Sequence, residues 1–263
     1  MYIHIYMITK IVQRFGNSGH IVLPKEYVGK RIKLVAEPKT FEDVKSEILE
    51  ILKPYFEYIL GVYLYGSYSR NEQTISSDID ILIITNSKLK IITRGDDYCI
   101  VSISIQELES ILRTNAVLIL PIIKEAKTII NPDLLNDYKG YKFTKSNTKS
   151  FIEISKNVFE LNKKGLELNF ELGSLVYSLM LRIRGFLMIK LILNDKLYSK
   201  SFLFDFLEDN GFSNDKIEEL YKIYGSERNN IKVRKSNVIT KEDISNLIII
   251  SKELLGEIKN SLR

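Results

Sequence analysis

The residues of this chain whose types and spacing could do chemistry lie in one short stretch. Gly66-Ser67 is followed, after ten residues, by Asp78-Ile79-Asp80. Glycine has no Cβ, so the backbone at Gly66 can come close to a phosphate. Ser67 would add a hydroxyl and a backbone N–H at a helix start, where orphan donors and the dipole favour anions. Asp78 and Asp80, two apart on a strand, share a face with their backbones about 6–7 Å apart. Hard oxygen ligands so placed suit Mg²⁺, which keeps waters and also takes phosphate oxygens. The ion would neutralise charge on a transferred phosphoryl group, and a second would activate an attacking hydroxyl. The competing reading is a structural turn. Apolar strand-like runs on both sides of the stretch favour the site.

Those runs belong to a larger pattern. Residues 41–58 place apolar side chains at 41, 44, 48, 51, 52 and 55, a helical period, with Pro54 a kink or an end. Strands are predicted at 61–65, 78–85 and 98–105, then a helix over 107–129 broken near Pro121. Asn131-Pro132-Asp133 and the polar residues 136–150 mark a boundary. Helical patterns follow at about 150–169, 172–193, 199–210, 214–224 and 241–260, with joins that include the basic stretch 232–237. Ahead of residue 38, strands are predicted at 8–14, 20–23 and 31–35, with a turn at 15–19 and a helical turn at 24–28. The fold class read from this order is α+β. A β-hairpin module at 1–37 precedes a small mixed-sheet unit at 38–137 and a helical bundle at 138–263.

Composition narrows the setting. The chain has 263 residues, ordinary apolar and charged fractions, one Cys and no Trp. Cys99 alone cannot form an internal disulfide and excludes zinc-finger clusters, which points to a reducing, cytoplasmic location. No apolar run approaches the ~20 residues of a membrane helix, so no membrane partner is expected. The opening residues lack the basic n-region of a signal peptide. Residues 1–37 carry net +4, 38–137 net −5 and 138–263 net +6. An acidic middle between basic flanks fits a carboxylate–metal centre served by phosphate-attracting surfaces, although solvated faces alone give the same pattern.

The stretch from Leu64 to Ile84 resembles the minimal nucleotidyltransferases of the DNA polymerase β superfamily, whose signature is Gly-Ser, seven to ten residues, then Asp-x-Asp. The resemblance implies a small mixed sheet flanked by helices that binds a nucleoside triphosphate (NTP) with Mg²⁺. Gly66 and Ser67 would hold its β- and γ-phosphates, with Ser77 beside them, and Asp78 and Asp80 would hold the metal. Arg70 would lie near the phosphates or brace the loop. Active relatives carry a third carboxylate on a later strand. Val101 or Ser102 falls at that position here, so Asp97 is the available substitute as a catalytic residue, while Asp96 would face the other way.

The C-terminal helices resemble the partner domain of archaeal nucleotidyltransferases, related to kanamycin nucleotidyltransferase and to HEPN bundles. Arg182, Arg184 and Arg228 would contact phosphates if that role carries over; solvation or ion pairing is the commoner fate of such arginines. A HEPN ribonuclease centre needs a histidine, and His4 and His20 are the only ones, neither in these helices. Residues 9–35 resemble SpoVT/AbrB-type swapped hairpins, especially short archaeal transposon-associated ones. That implies a homodimer, with Lys10, Arg14, Lys25, Lys30 and Arg31 as candidate DNA contacts, or a dimerisation module without DNA. The expected activity is Mg²⁺-dependent transfer of a nucleoside monophosphate to a hydroxyl of a protein (as in antitoxins that modify toxins), an RNA end or a small molecule such as an aminoglycoside. The alternative is a catalytically weak DNA-binding regulator.

Overall fold

A computed structural model describes residues 8–91, 97–229 and 238–262. Asp96, His4 and the basic stretch 232–237 lie outside the described residues. The chain divides into two compact units, Met1–Glu37 and Pro38–Arg263.

In the first unit, strands β1 (Gln13–Phe15) and β2 (Ser18–His20) form an antiparallel hairpin. Phe15 pairs with Ser18, so the turn is only Gly16-Asn17, and Gly16 takes a φ of 60°. The sequence expectation of a five-residue turn at 15–19 is corrected by this tight turn, which draws Phe15, Ser18 and Gly19 into the ladder. A 3-10 turn covers Lys25–Tyr27. Residues 31–35 form no strand: among the described residues no strand pairs with them, and an extended segment needs a partner ladder.

The second unit opens with helix α1 (Phe41–Leu52), started by a capping box between Thr40 and Asp43. A 3-10 turn holding Pro54 leads into β3 (Ile59–Tyr65). The four-residue helix α2 (Ser67–Arg70) and strands β4 (Ile79–Thr85) and β5 (Tyr98–Ser104) follow. Next come α3 (Ile105–Thr114), α4 (Leu120–Glu125) and β6 (Lys127–Ile130). The sheet order is β5-β4-β3-β6; β3 is antiparallel to β4 and β6, and β4 is parallel to β5. Strand β6 replaces the end of the helix expected over 107–129. Its β-branched residues satisfy the free edge of β3, and that pairing overrides the local helical period.

Side chains alternate across the sheet. Val62, Leu64, Ile79, Ile81 and Ile83 pack with Val44, Ile48 and Leu52 of α1. Tyr63, Leu82 and Ile84 enter a larger core that continues through α3 and α4 into the C-terminal helices. Those helices are α5 (Pro132–Lys139), α6 (Lys145–Glu167), α7 (Leu172–Leu193), α8 (Lys200–Asp209), α9 (Asn214–Arg228) and α10 (Lys241–Ser261). The polar residues 136–150, expected as a boundary, end α5 and begin α6, whose first turn is fixed by a Thr144–Asn147 capping box.

Candidate active site

The site forms where β3 ends and β4 begins. Tyr65 pairs with Asp80, so the turn at Gly66 lies beside the Asp80 carboxylate. Gly66 has φ 75° and ψ −150°, and a Cβ there would stand 2.1 Å from Asp80 Oδ2. Only glycine allows both the backbone angle and the approach. Ser67 begins α2, and its hydroxyl makes no hydrogen bond among the described residues. Four residues give little dipole, so an anion here would meet N–H groups rather than the helix field expected from sequence.

Ser77 accepts a hydrogen bond from the Thr74 N–H at 2.9 Å and so pins the turn that delivers Asp78. Asp78 is exposed, with its Oδ2 3.6 Å from an Arg228 nitrogen at the end of α9. Asp80 is half-buried. Burial pushes its carboxyl up to about 6; Asp78 and Glu125 push the same way, against Arg228 and Arg184. Two neighbouring carboxylates, one short of compensating charge, are a donor set that a divalent cation would relieve. Among the described residues no cluster of three or more His, Cys, Asp or Glu joins them, so protein would supply two donors and the rest would be water or phosphate.

Asp97 is not brought to this pair by any contact. Its carboxylate is 3.5 Å from Lys39, whose ammonium also sits over the Tyr98 ring, and its carbonyl accepts from the Ile79 N–H at 2.8 Å. The parallel register places Cys99, rather than Val101 or Ser102, opposite Asp80. Burial, followed by Asp80 and Asp78, pushes the Cys99 thiol up.

Glu125 is the residue that sequence reasoning missed. Its Oε1 accepts from the Gly66 N–H at 2.9 Å and its Oε2 from Arg70 Nη1 at 2.8 Å. Its carbonyl accepts from the Ser69 hydroxyl. Arg70 also bonds Glu72 at 2.8 Å, and Glu72 accepts from the Lys200 N–H at 3.1 Å. Burial opposes the Arg70 charge, but Glu125 and Glu72 outweigh it and hold the guanidinium firmly charged. Arg70 therefore braces the loop. Arg70 and Arg184 both lie over the Tyr198 ring, and Arg184 donates to the Tyr224 hydroxyl at 3.1 Å. Arg182 lies over Phe151, away from these groups. No local signal marks Glu125, which ends α4 fifty-nine residues after Gly66.

In the first unit, Lys10, Arg14, Lys25, Lys30 and Arg31 are all exposed. His20 packs edge-on to Phe15 at 5.5 Å, a structural place.

Comparison with known proteins agrees with the geometry. Residues 45–160 match the family model described as "Nucleotidyltransferase domain". Residues 3–36 match the model described as "Putative transposon-encoded protein (DUF2080)". No curated protein sequence matches the chain significantly. Among solved structures, a spectinomycin adenyltransferase from Enterococcus faecialis, crystallised with ATP and spectinomycin, is 14% identical with a TM-score of 0.47. That alignment covers 81% of this chain and 100% of that one. A nucleotidyltransferase-like protein from Exiguobacterium sibiricum is 14% identical with a TM-score of 0.36, covering 83% and 76%. The sheet and the Gly66–Asp80 turn lie within the residues that match the nucleotidyltransferase domain model.

Proposed function

We propose that this chain transfers a nucleoside monophosphate from an NTP to a hydroxyl group, with Mg²⁺ held by Asp78 and Asp80. The observation that carries the reading is Gly66, whose missing Cβ lets the phosphate-turn backbone lie against the Asp80 carboxylate. When bound, the ion would neutralise charge on the transferred group. The backbone N–H groups of Gly66 and Ser67 hold the β- and γ-phosphates; Glu125 releases the Gly66 N–H as the nucleotide enters. Ser77 fixes the approach to Asp78. Arg228 and Arg184, the cations that bear on Asp80, take up phosphate charge. The acceptor oxygen forms a bond to the α-phosphorus, the bond to pyrophosphate breaks, and the hydroxyl proton leaves to Asp97 or to water.

Acceptor classes remain a toxin-like protein, an RNA end or a small molecule. Incubation with labelled NTPs, Mg²⁺ and candidate acceptors tests the reading: label transfer should vanish in Asp78→Asn/Asp80→Asn. Transfer that survives the double substitution refutes it.

A second reading concerns residues 1–37 as a dimerising, DNA-binding module within the same protein. It is favoured by the absence of any buried residue among 8–37, with Ile11 86% and Val35 80% exposed. So few residues bury a core only by pairing with another chain. Salt-dependent DNA binding that disappears when Lys10, Arg14, Lys25, Lys30 and Arg31 become Gln supports it. Equal binding by that variant removes the DNA role.

A further inference from the structure

A hollow of about 300 Å³ lies between α6 and α10. Lys145, Lys149 and Lys156 of α6 and Lys259 of α10 line it over the apolar residues Ile152 and Leu262. At 100° per residue, the three α6 lysines fall within about 40° of one another, a single face, and span about 16 Å along the axis. One carboxylate shares the hollow: Glu153 stands 4.0 Å from Lys149, with both side chains exposed. Such a pair is worth little, and among the described residues the other three lysines have no carboxylate partner. Lys156 and Lys259 are neighbours; burial first, and Lys156 next, hold the Lys259 ammonium below its ordinary value. All four ammonium groups are exposed, so a polyanion laid across the hollow would meet a row of like charges. Residues 138–263 also carry twenty-two Lys/Arg against sixteen Asp/Glu.

We infer that this lysine-lined hollow binds the phosphodiester backbone of a single-stranded nucleic acid. A line of ammonium groups along one helix face follows a chain of phosphates, where a lone phosphate would need only one or two. No aromatic side chain lines it, so bases are not stacked and binding is independent of sequence. The inference stands apart from the nucleotidyl-transfer reading, because it needs neither metal nor NTP.

The test is fluorescence anisotropy of the full chain with labelled twelve-nucleotide RNA and DNA strands of mixed sequence across a salt series. Lys149→Gln/Lys156→Gln/Lys259→Gln should weaken binding at low salt at least tenfold. The slope of log K against log salt should fall by about 2, as expected for three lost phosphate contacts on a single strand. Unchanged affinity and slope would overturn the inference, and so would displacement of the strand by micromolar pyrophosphate, which would mark a free-phosphate site. Photocrosslinking of unsubstituted protein to thiouridine-containing RNA supplies a readout without any variant. Crosslinks should map to 145–156 or 255–262; crosslinks confined to residues 1–37 would refute the assignment. Loss of label transfer in the Asp78/Asp80 variant leaves both measurements untouched.

Discussion

Gly66 shows how a missing atom can make a site. Gly66→Ala would set a methyl group 2.1 Å from Asp80 Oδ2 at a φ of 75°. Either the carboxylate moves or the turn does, so label transfer is expected to fall at least ~100-fold and the melting temperature by several degrees, with the folded far-ultraviolet signature kept at about 25 °C. Asp80 carries an opposite tension. Its pKa of about 6 stands above the ordinary value of about 3.9 because burial disfavours the charge. A cation requires the ionised form, so Mn²⁺ affinity should drop about tenfold per pH unit below 6 and level off above it. Folding responds the other way. The native state holds the proton more tightly, so this residue's contribution to stability is full below about pH 4 and is lost as pH rises through 6. Asp80→Asn should therefore raise the melting temperature at pH 7.5 while abolishing Mn²⁺ binding; a calorimetric decrease would refute the assignment. Gly66, Ser67, Asp78 and Asp80 were legible because they lie close together in the chain and carry their chemistry locally. Glu125 was not, since only the closing of α4 onto the turn gives an ordinary glutamate a backbone N–H to hold.

At the scale of elements, the end of α9 delivers Arg228 to the Asp78 carboxylate. The pair spans 3.6 Å with both side chains about half exposed, so it adds under about 1 kcal/mol to stability. Its effect on ligands is larger than its effect on the fold. In the free protein Arg228 competes with any cation for Asp78, and with nucleotide present it offers charge to phosphate. Arg228→Gln is thus expected to strengthen Mn²⁺ binding about threefold to tenfold without nucleotide and to weaken NTP binding by a similar factor. Titration by electron paramagnetic resonance and by calorimetry would read the two effects, and equal signs would exclude the exchange. The long helices α7 and α10 were legible because each runs for more than twenty residues without a proline, α7 apolar on nearly every face and α10 with a polar side. Strand β6 has four half-buried residues, too few to show a period of two against its helical surroundings. Its existence depends on the open edge of β3, information held far off in the chain.

Among the described residues, every buried side chain falls in the second unit, whereas the first has exposed apolar residues and no buried one. Both core clusters lie within 38–262, where α1, the sheet and the C-terminal helices close over them. Within this core, Gly185 lets α7 approach Phe151 of α6: a Cβ would stand 2.4 Å from the ring. Gly185→Val should destabilise by about 1–3 kcal/mol, read as a melting temperature several degrees lower. Residues 8–37, by contrast, contain no buried residue, and both core clusters form without them. A chain lacking 1–37 is therefore expected to melt within ~2 °C of the full protein and to keep Asp78-dependent label transfer. If the hairpin module pairs two chains as proposed, light scattering should give the full protein twice its monomer mass and the shortened chain its monomer mass alone. A shortened chain that still dimerises would place the interface in the second unit. One that unfolds would show that the core at 38–262 is not sufficient by itself.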